Sequence, residues 1–203
     1  LVFTGGEDDP ETLETLKGMG FENPGSISNI IRQWHHGQAR ATRTARAREK
    51  LTELVPSLLA SFSKTREPDK ALTAFDAFLR GLPAGIQLFS LLWSNPQLLA
   101  LLTEIIGNAP RLAEILSARP RLFEAVLQPD FFETSLTKEN YDDIFAESLS
   151  HANDYQDRLD MARITAHEQL FRIGVQVLTR SLDEAEAGRA YTYLAESVIN
   201  ALL

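Results

Sequence analysis

The sequence predicts an all-α fold: a proline-punctuated stack of short helices followed by long antiparallel helices forming a bundle. Three observations carry this expectation. Apolar residues recur at three- and four-residue spacing along nearly the whole chain, which is the stripe of an amphipathic helix. Between residues 75 and 129 that pattern is broken by prolines at 83, 96, 110, 120 and 129. A proline fixes φ and lacks an N–H, so it suits a helix's first turn and disfavours its middle. All 9 prolines lie at or before residue 129, and only Gly174 and Gly188 of the 11 glycines follow it. The last third is therefore expected to form long helices.

The elements follow in order. Leu1–Thr4 alone looks strand-like, and Gly5-Gly6 ends it. Asp9-Pro10 reads as an N-cap followed by a first-turn proline, with Gly18 or Gly20 ending that helix. Asn23-Pro24 starts a second helix that ends near Gly37. A long basic helix is expected from about Gln38 to Val55, broken or restarted at Pro56. Glu67-Pro68 opens a helix with Leu72, Phe75, Phe78 and Leu79 on one face. Pro96, Pro110 and Pro120 each start a short helix, as in Pro110-Arg-Leu-Ala-Glu-Ile-Leu and Pro120-Arg-Leu-Phe-Glu-Ala-Val-Leu. A boundary is expected near Pro129 to Thr137. A long helix then spans about Asn153 to Leu182, with a stripe of Tyr155, Leu159, Ala162, Ala166, Leu170, Ile173 and Val177. Asp183 caps the last helix, with Ala187, Tyr191, Leu194, Val198 and Ala201 on one side. The chain so divides into leading helices at 1–38, a central helical region at 39–135 and a bundle at 136–203.

Composition narrows the class. The 203 residues are 44% hydrophobic and 24% charged, ordinary for a globular protein of one or two domains. There are no cysteines, which removes disulfides, thiolate zinc sites and cysteine nucleophiles. The longest apolar stretch, Leu82 to Ile106, contains Pro83, Gln87, Asn95, Pro96, Gln97 and Glu104 and does not read as a membrane span. No signal sequence opens the chain, so a cytoplasmic location is the expectation. The start, Leu1-Val-Phe-Thr without an initiator Met, points to a piece of a longer protein. Residues 1–129 hold 14 basic and 14 acidic side chains, residues 130–203 hold 6 and 14, so the net −8 lies in the last third. That balance argues against nucleic acid as a partner, since phosphate affinity needs a net basic surface.

Three segments share a resemblance: Ala74-Phe-Asp-Ala-Phe-Leu-Arg-Gly-Leu-Pro83, Gln87-Leu-Phe-Ser-Leu-Leu-Trp-Ser-Asn-Pro96 and Ile106-Gly-Asn-Ala-Pro-Arg-Leu-Ala113. They resemble the bacterial glutamine synthetase adenylyltransferase and adenylyl-removing enzyme family. The segments Leu16 to Pro24 and Arg46 to Leu59 fit it too, and Gln169-Leu-Phe-Arg-Ile-Gly174 fits more loosely. The resemblance implies a large enzyme with two nucleotidyltransferase domains joined by a helical region. One would attach AMP from ATP to a tyrosine of glutamine synthetase, with Mg²⁺, and the other would remove it. Control by glutamine and the PII signal protein is implied, as is nitrogen regulation. This chain would be the helical region, flanked by the nucleotidyltransferase domains and inactive alone. Family catalytic domains carry a Gly-Ser stretch followed by spaced aspartates. The only Gly-Ser here is Gly25-Ser26, with no acid after it until Glu49. No catalytic, cofactor or metal residue is therefore carried over. The competing expectation is a free-standing helical adaptor that binds a protein.

One candidate contact site stands out. Arg40, Arg43, Arg46 and Lys50 are expected on one broad helix face, with Arg48 beyond its edge. They would dock an acidic partner or a neighbouring domain. The simpler reading is a solvated face with i,i+4 ion pairs worth about 0.2–0.5 kcal/mol each. The other constellations read as structure. His35 and His36 diverge by about 100° on a helix, and His151 and His167 lack partners at ligand spacing. Asp154, Asp157 and Asp160 open a helix, where negative charge offsets the macrodipole. Asp142-Asp143 reads as an exposed first-turn pair. Phe75, Phe78, Phe89, Trp93, Phe123, Phe131 and Phe132 are expected in the core rather than around a ligand.

Overall fold

The structure, a computed structural model, describes residues 3, 8–128, 131–132 and 136–203. Among these it is all-α, with eleven α-helices, a 3-10 turn at Arg40–Thr42 and no strand. Of the strand-like opening only Phe3 is described. It lies in no regular element, and its side chain is buried. The expected boundary segment from Pro129 to Thr137 lies largely outside the described residues. The chain divides into two compact units, Leu1–Pro120 and Arg121–Leu203.

The first unit opens with α1 (Pro10–Gly18), where the Asp9 carboxylate accepts from the Thr12 backbone N–H. A Pro-started α2 (Pro24–His35) follows. The expected basic helix is different in the structure. A 3-10 turn, Arg40–Thr42, comes first. The helix proper, α3 (Ala45–Phe62), begins only after Thr44. Thr44 has extended backbone, φ −85° and ψ 146°, and its hydroxyl accepts from the Ala47 N–H. A capping threonine thus sets the boundary that basic residues on either side conceal. Pro56 neither breaks nor restarts α3 but sits inside it. The helix continues because Leu51, Leu54, Val55, Leu58, Leu59 and Phe62 are all buried along its length.

The proline stack forms largely as expected. It comprises α4 (Pro68–Gly81), α5 (Ile86–Ser94), α6 (Pro96–Asn108) and α7 (Pro110–Ala118). Helix α5 starts three residues after Pro83, not at it. Gly85 there packs so closely that an added Cβ would lie 2.5 Å from both the Ala41 carbonyl and the Phe89 ring. The core of this unit is aromatic. Phe75 lies 5.7 Å from Trp34, 5.3 Å from Phe62 and 6.0 Å from Phe78, centroid to centroid.

The second unit begins with a one-turn α8 (Leu122–Ala125), shorter than the run after Pro120 led one to expect. Helices α9 (Lys138–Leu149), α10 (Tyr155–Leu178) and α11 (Glu184–Leu202) follow and pack against one another. Tyr141, Phe145, Leu149, Ala162, Ile173, Leu182, Ala187, Ala190 and Leu194 form their shared core. The expected α10 stripe holds at Ala162 and Ile173, but Tyr155 is 62% exposed and Val177 is exposed too. Phe171 and Val175, off that stripe, are buried instead. The end of α10 is thus buried on more than one face, which a single-stripe reading does not capture.

Candidate functional site

The predicted contact residues do not share one helix. Arg40 lies in the 3-10 turn and Arg43 caps it, while Arg46 and Lys50 lie on α3. The expectation of a single helix face is corrected accordingly, and the cause is the Thr44 cap. Arg40, Arg43 and Arg46 remain exposed within seven residues of one another. Lys50 differs, because its ammonium pairs with Glu53 at 2.8 Å. Among the described residues no carboxylate pairs with Arg40, Arg43 or Arg46.

Arg48 has a role that its sequence position did not reveal. Its Nη1 donates to the Thr42 carbonyl at 3.1 Å and to the Arg43 carbonyl at 2.8 Å. It ties the 3-10 turn to α3 and fixes where Arg40 and Arg43 project. The first turn of α3 contains no acid. A helix N-terminus carries partial positive charge, and a cation there is unfavourable by about 0.3–1 kcal/mol. Arg46 therefore sits where the helix itself gains nothing from it.

A second polar cluster joins α9 to α11. Asp142 accepts from the Ser197 hydroxyl at 2.6 Å and pairs with Lys138 at 2.6 Å. Lys138 first, then Ser197, holds the Asp142 carboxyl below its ordinary pKa, and Asp142 in turn raises Lys138. Asp142 and Ser197 border a cavity of about 390 Å³ lined also by Ala146, Leu149, Arg158 and Asn200. Arg158 donates to the Ala201 carbonyl at 2.7 Å, near the end of α11. Asp142, Lys138, Ser197 and Arg158 thus each have a partner within the bundle. Asp142 and Asp143 fall in the second turn of α9, not the first.

The remaining candidates have structural partners. Asp154 caps α10 by accepting from the Asp157 N–H at 2.8 Å. Asp157 accepts from the Asn153 side chain at 2.8 Å, and Asp160 pairs with Arg163 at 3.0 Å. His35 stacks on Phe3 at 6.4 Å, and burial, then the neighbouring His36, lowers its pKa. Burial likewise pushes the Tyr141 hydroxyl up to about 12. Of the aromatic set, Phe75, Phe78, Phe89, Phe123 and Phe131 are buried, Phe132 is half-buried and Trp93 is 49% exposed.

The nucleotide and Mg²⁺ that the sequence resemblance implies would find no fitting cradle at Gly25-Ser26. Both residues lie in the first turn of α2. The carboxylate at hand is Asp8, 3.7 Å from where a Gly25 Cβ would stand. It is taken up by the Ser28 hydroxyl and by Arg32, each at 2.9 Å. Among the described residues no three His, Asp or Glu side chains gather where one ion could bind. No helix there is long and apolar enough to cross a membrane.

Among the described residues the chain is all-α, and its Asp8, Asp142 and Asp154 side chains have partners within the chain, the make-up of a helical packing segment. Residues 99–203 match the family described as glutamate-ammonia ligase adenylyltransferase. That is just over half of the chain, and the chain belongs to that family. A bifunctional glutamine synthetase adenylyltransferase/adenylyl-removing enzyme of Agrobacterium fabrum is 51% identical over all 203 residues, which make up 20% of its length. The enzymes of the same name from Rhizobium meliloti and Caulobacter vibrioides are 49% and 42% identical, with 21% and 20% of their lengths covered. The chain therefore spans about a fifth of the length of these curated relatives.

Proposed function

We propose that this chain is the helical segment that joins and positions the two nucleotidyltransferase domains of a cytoplasmic glutamine synthetase adenylyltransferase. The whole enzyme transfers AMP from ATP, with Mg²⁺, to a tyrosine of glutamine synthetase and removes it again. Glutamine and the PII signal protein control that balance. The segment itself performs no chemistry. Its packed helices hold the catalytic domains at a defined separation. One observation carries this reading: every residue of the chain aligns at 51% identity with a relative of which it is only 20%.

Arg40, Arg43 and Arg46 are the contact points with an acidic surface of an adjoining domain. Among the described residues these three exposed arginines pair with no carboxylate and gain little where they stand, and Arg46 opposes the macrodipole. An acidic neighbour would reverse that sign through charge-assisted hydrogen bonds. The test is to read the native gene on both sides of these codons. The proposal expects a Gly-Ser and aspartate-bearing domain on each side. A gene that ends with this chain would instead favour a free-standing helical adaptor.

A further inference from the structure

Helix α4 carries a low ridge between two open grooves. On one side, α4 with α6 and α7 encloses about 490 Å³, lined chiefly by Ala71, Ala74, Ala77, Ile106, Pro110 and Ala113. On the other, α4 with α2 encloses about 620 Å³, bordered by Ser26, Ile27 and Thr73. Lys70, Ala74 and Ala77 belong to both. Each volume lies within the range of ligand-sized clefts, about 300–1,000 Å³.

The ridge is held firmly. At its start, Asp69 accepts from the backbone N–H groups of Glu22 and Asn23 at 2.8 and 2.9 Å. At its end, a Cβ on Gly81 would stand 3.1 Å from the Ser117 carbonyl, so α4 and α7 nearly touch. The groove beside α6 and α7 has an apolar floor, with charge only at its rim. Glu67 and Lys70 pair with each other there, and Glu114 is exposed.

We propose that a helix from another part of the same polypeptide packs along α4, with apolar side chains in both grooves. This rests on the reading above and adds the surface through which the segment holds its neighbour. Short side chains at Thr73, Ala74 and Ala77 let a second backbone approach to the usual 8–10 Å. Two clefts on either side of one helix suit the paired ridges of a helix better than a compact small molecule. The occupant comes from the same polypeptide because the family relatives are about five times as long as this chain. Its contact face is apolar, with charge at its edges to meet Lys70 and Glu114.

The chain has no cysteine, so single cysteines report accessibility cleanly. Ala77→Cys and Ala74→Cys are made in the 203-residue chain and in the longer polypeptide of the native gene. Ala60→Cys, exposed on α3, is the control. Maleimide labelling is followed by the mass of the modified peptide. The expected result is labelling at 77 and 74 at least tenfold slower in the longer polypeptide, with 60 unchanged. Equal rates in both proteins would overturn the proposal while leaving the scaffold reading in place. Protection that appears in the short chain as its concentration rises would also overturn it, by naming a second copy as occupant. A native gene without further coding sequence would sink the scaffold reading itself, and the groove assignment with it.

Discussion

Phe75 sits fully buried among Trp34, Phe62 and Phe78. Truncating such a ring loses its transfer free energy and leaves a cavity. Phe75→Ala should cost about 3–5 kcal/mol, read from urea unfolding of the 203-residue chain. A loss under 1 kcal/mol would mean that the aromatic cluster is not the core of the first unit. Asp142 offers a test by pH. Its carboxyl is held below the ordinary value by Lys138 and Ser197. A depressed folded pKa contributes stability above the unfolded value, about 3.9, and loses it as pH falls through the folded one. Asp142→Asn should therefore lower the melting temperature at pH 7, and the gap should close as pH falls below about 4. A gap independent of pH would show that the Lys138 and Ser197 contacts do not stabilise the bundle. The side chain is half-exposed, so the effect is modest.

Helix boundaries were legible wherever a capping residue and a proline or glycine coincided. Asp9-Pro10 opens α1, and Asp183 opens α11 with a reciprocal capping box to Glu186. Asp183→Ala should cost about 1 kcal/mol of thermal stability. No measurable change would argue that α11 is set by packing alone. The start of α3 is not legible because Thr44 lies in a row of arginines and alanines whose spacing continues through the cap. Pro56 is the opposite case, since burial of seven α3 side chains outweighs one missing hydrogen bond. Replacing it should release that strain, so Pro56→Ala is expected to stabilise the chain by up to about 3 kcal/mol. A lower melting temperature would contradict this. Trp93 was grouped with the core because helical spacing shows which face is apolar but not whether anything covers it. Arg48 escaped notice because a side chain bonded to carbonyls five and six residues back leaves no periodic signal.

At the scale of the molecule, a segment that positions other domains should trade its own stability for contact. Arg46, the second residue of α3, is where the proposed trade is tested. Arg46→Glu should raise stability by about 0.3–1 kcal/mol through the macrodipole. Together with Arg43→Glu, it should weaken association with the adjoining part of the enzyme about tenfold at low salt, or about 1.4 kcal/mol. Unchanged affinity would remove the arginines from the interface. The central claim is that this chain carries no nucleotidyl transfer of its own. The most direct measurement is to incubate the purified chain with glutamine synthetase and adenine-labelled ATP and count label on the synthetase. The expected result is none above a protein-free control, with labelling by the longer polypeptide under the same conditions. Transfer that grows with the concentration of this chain alone would contradict it.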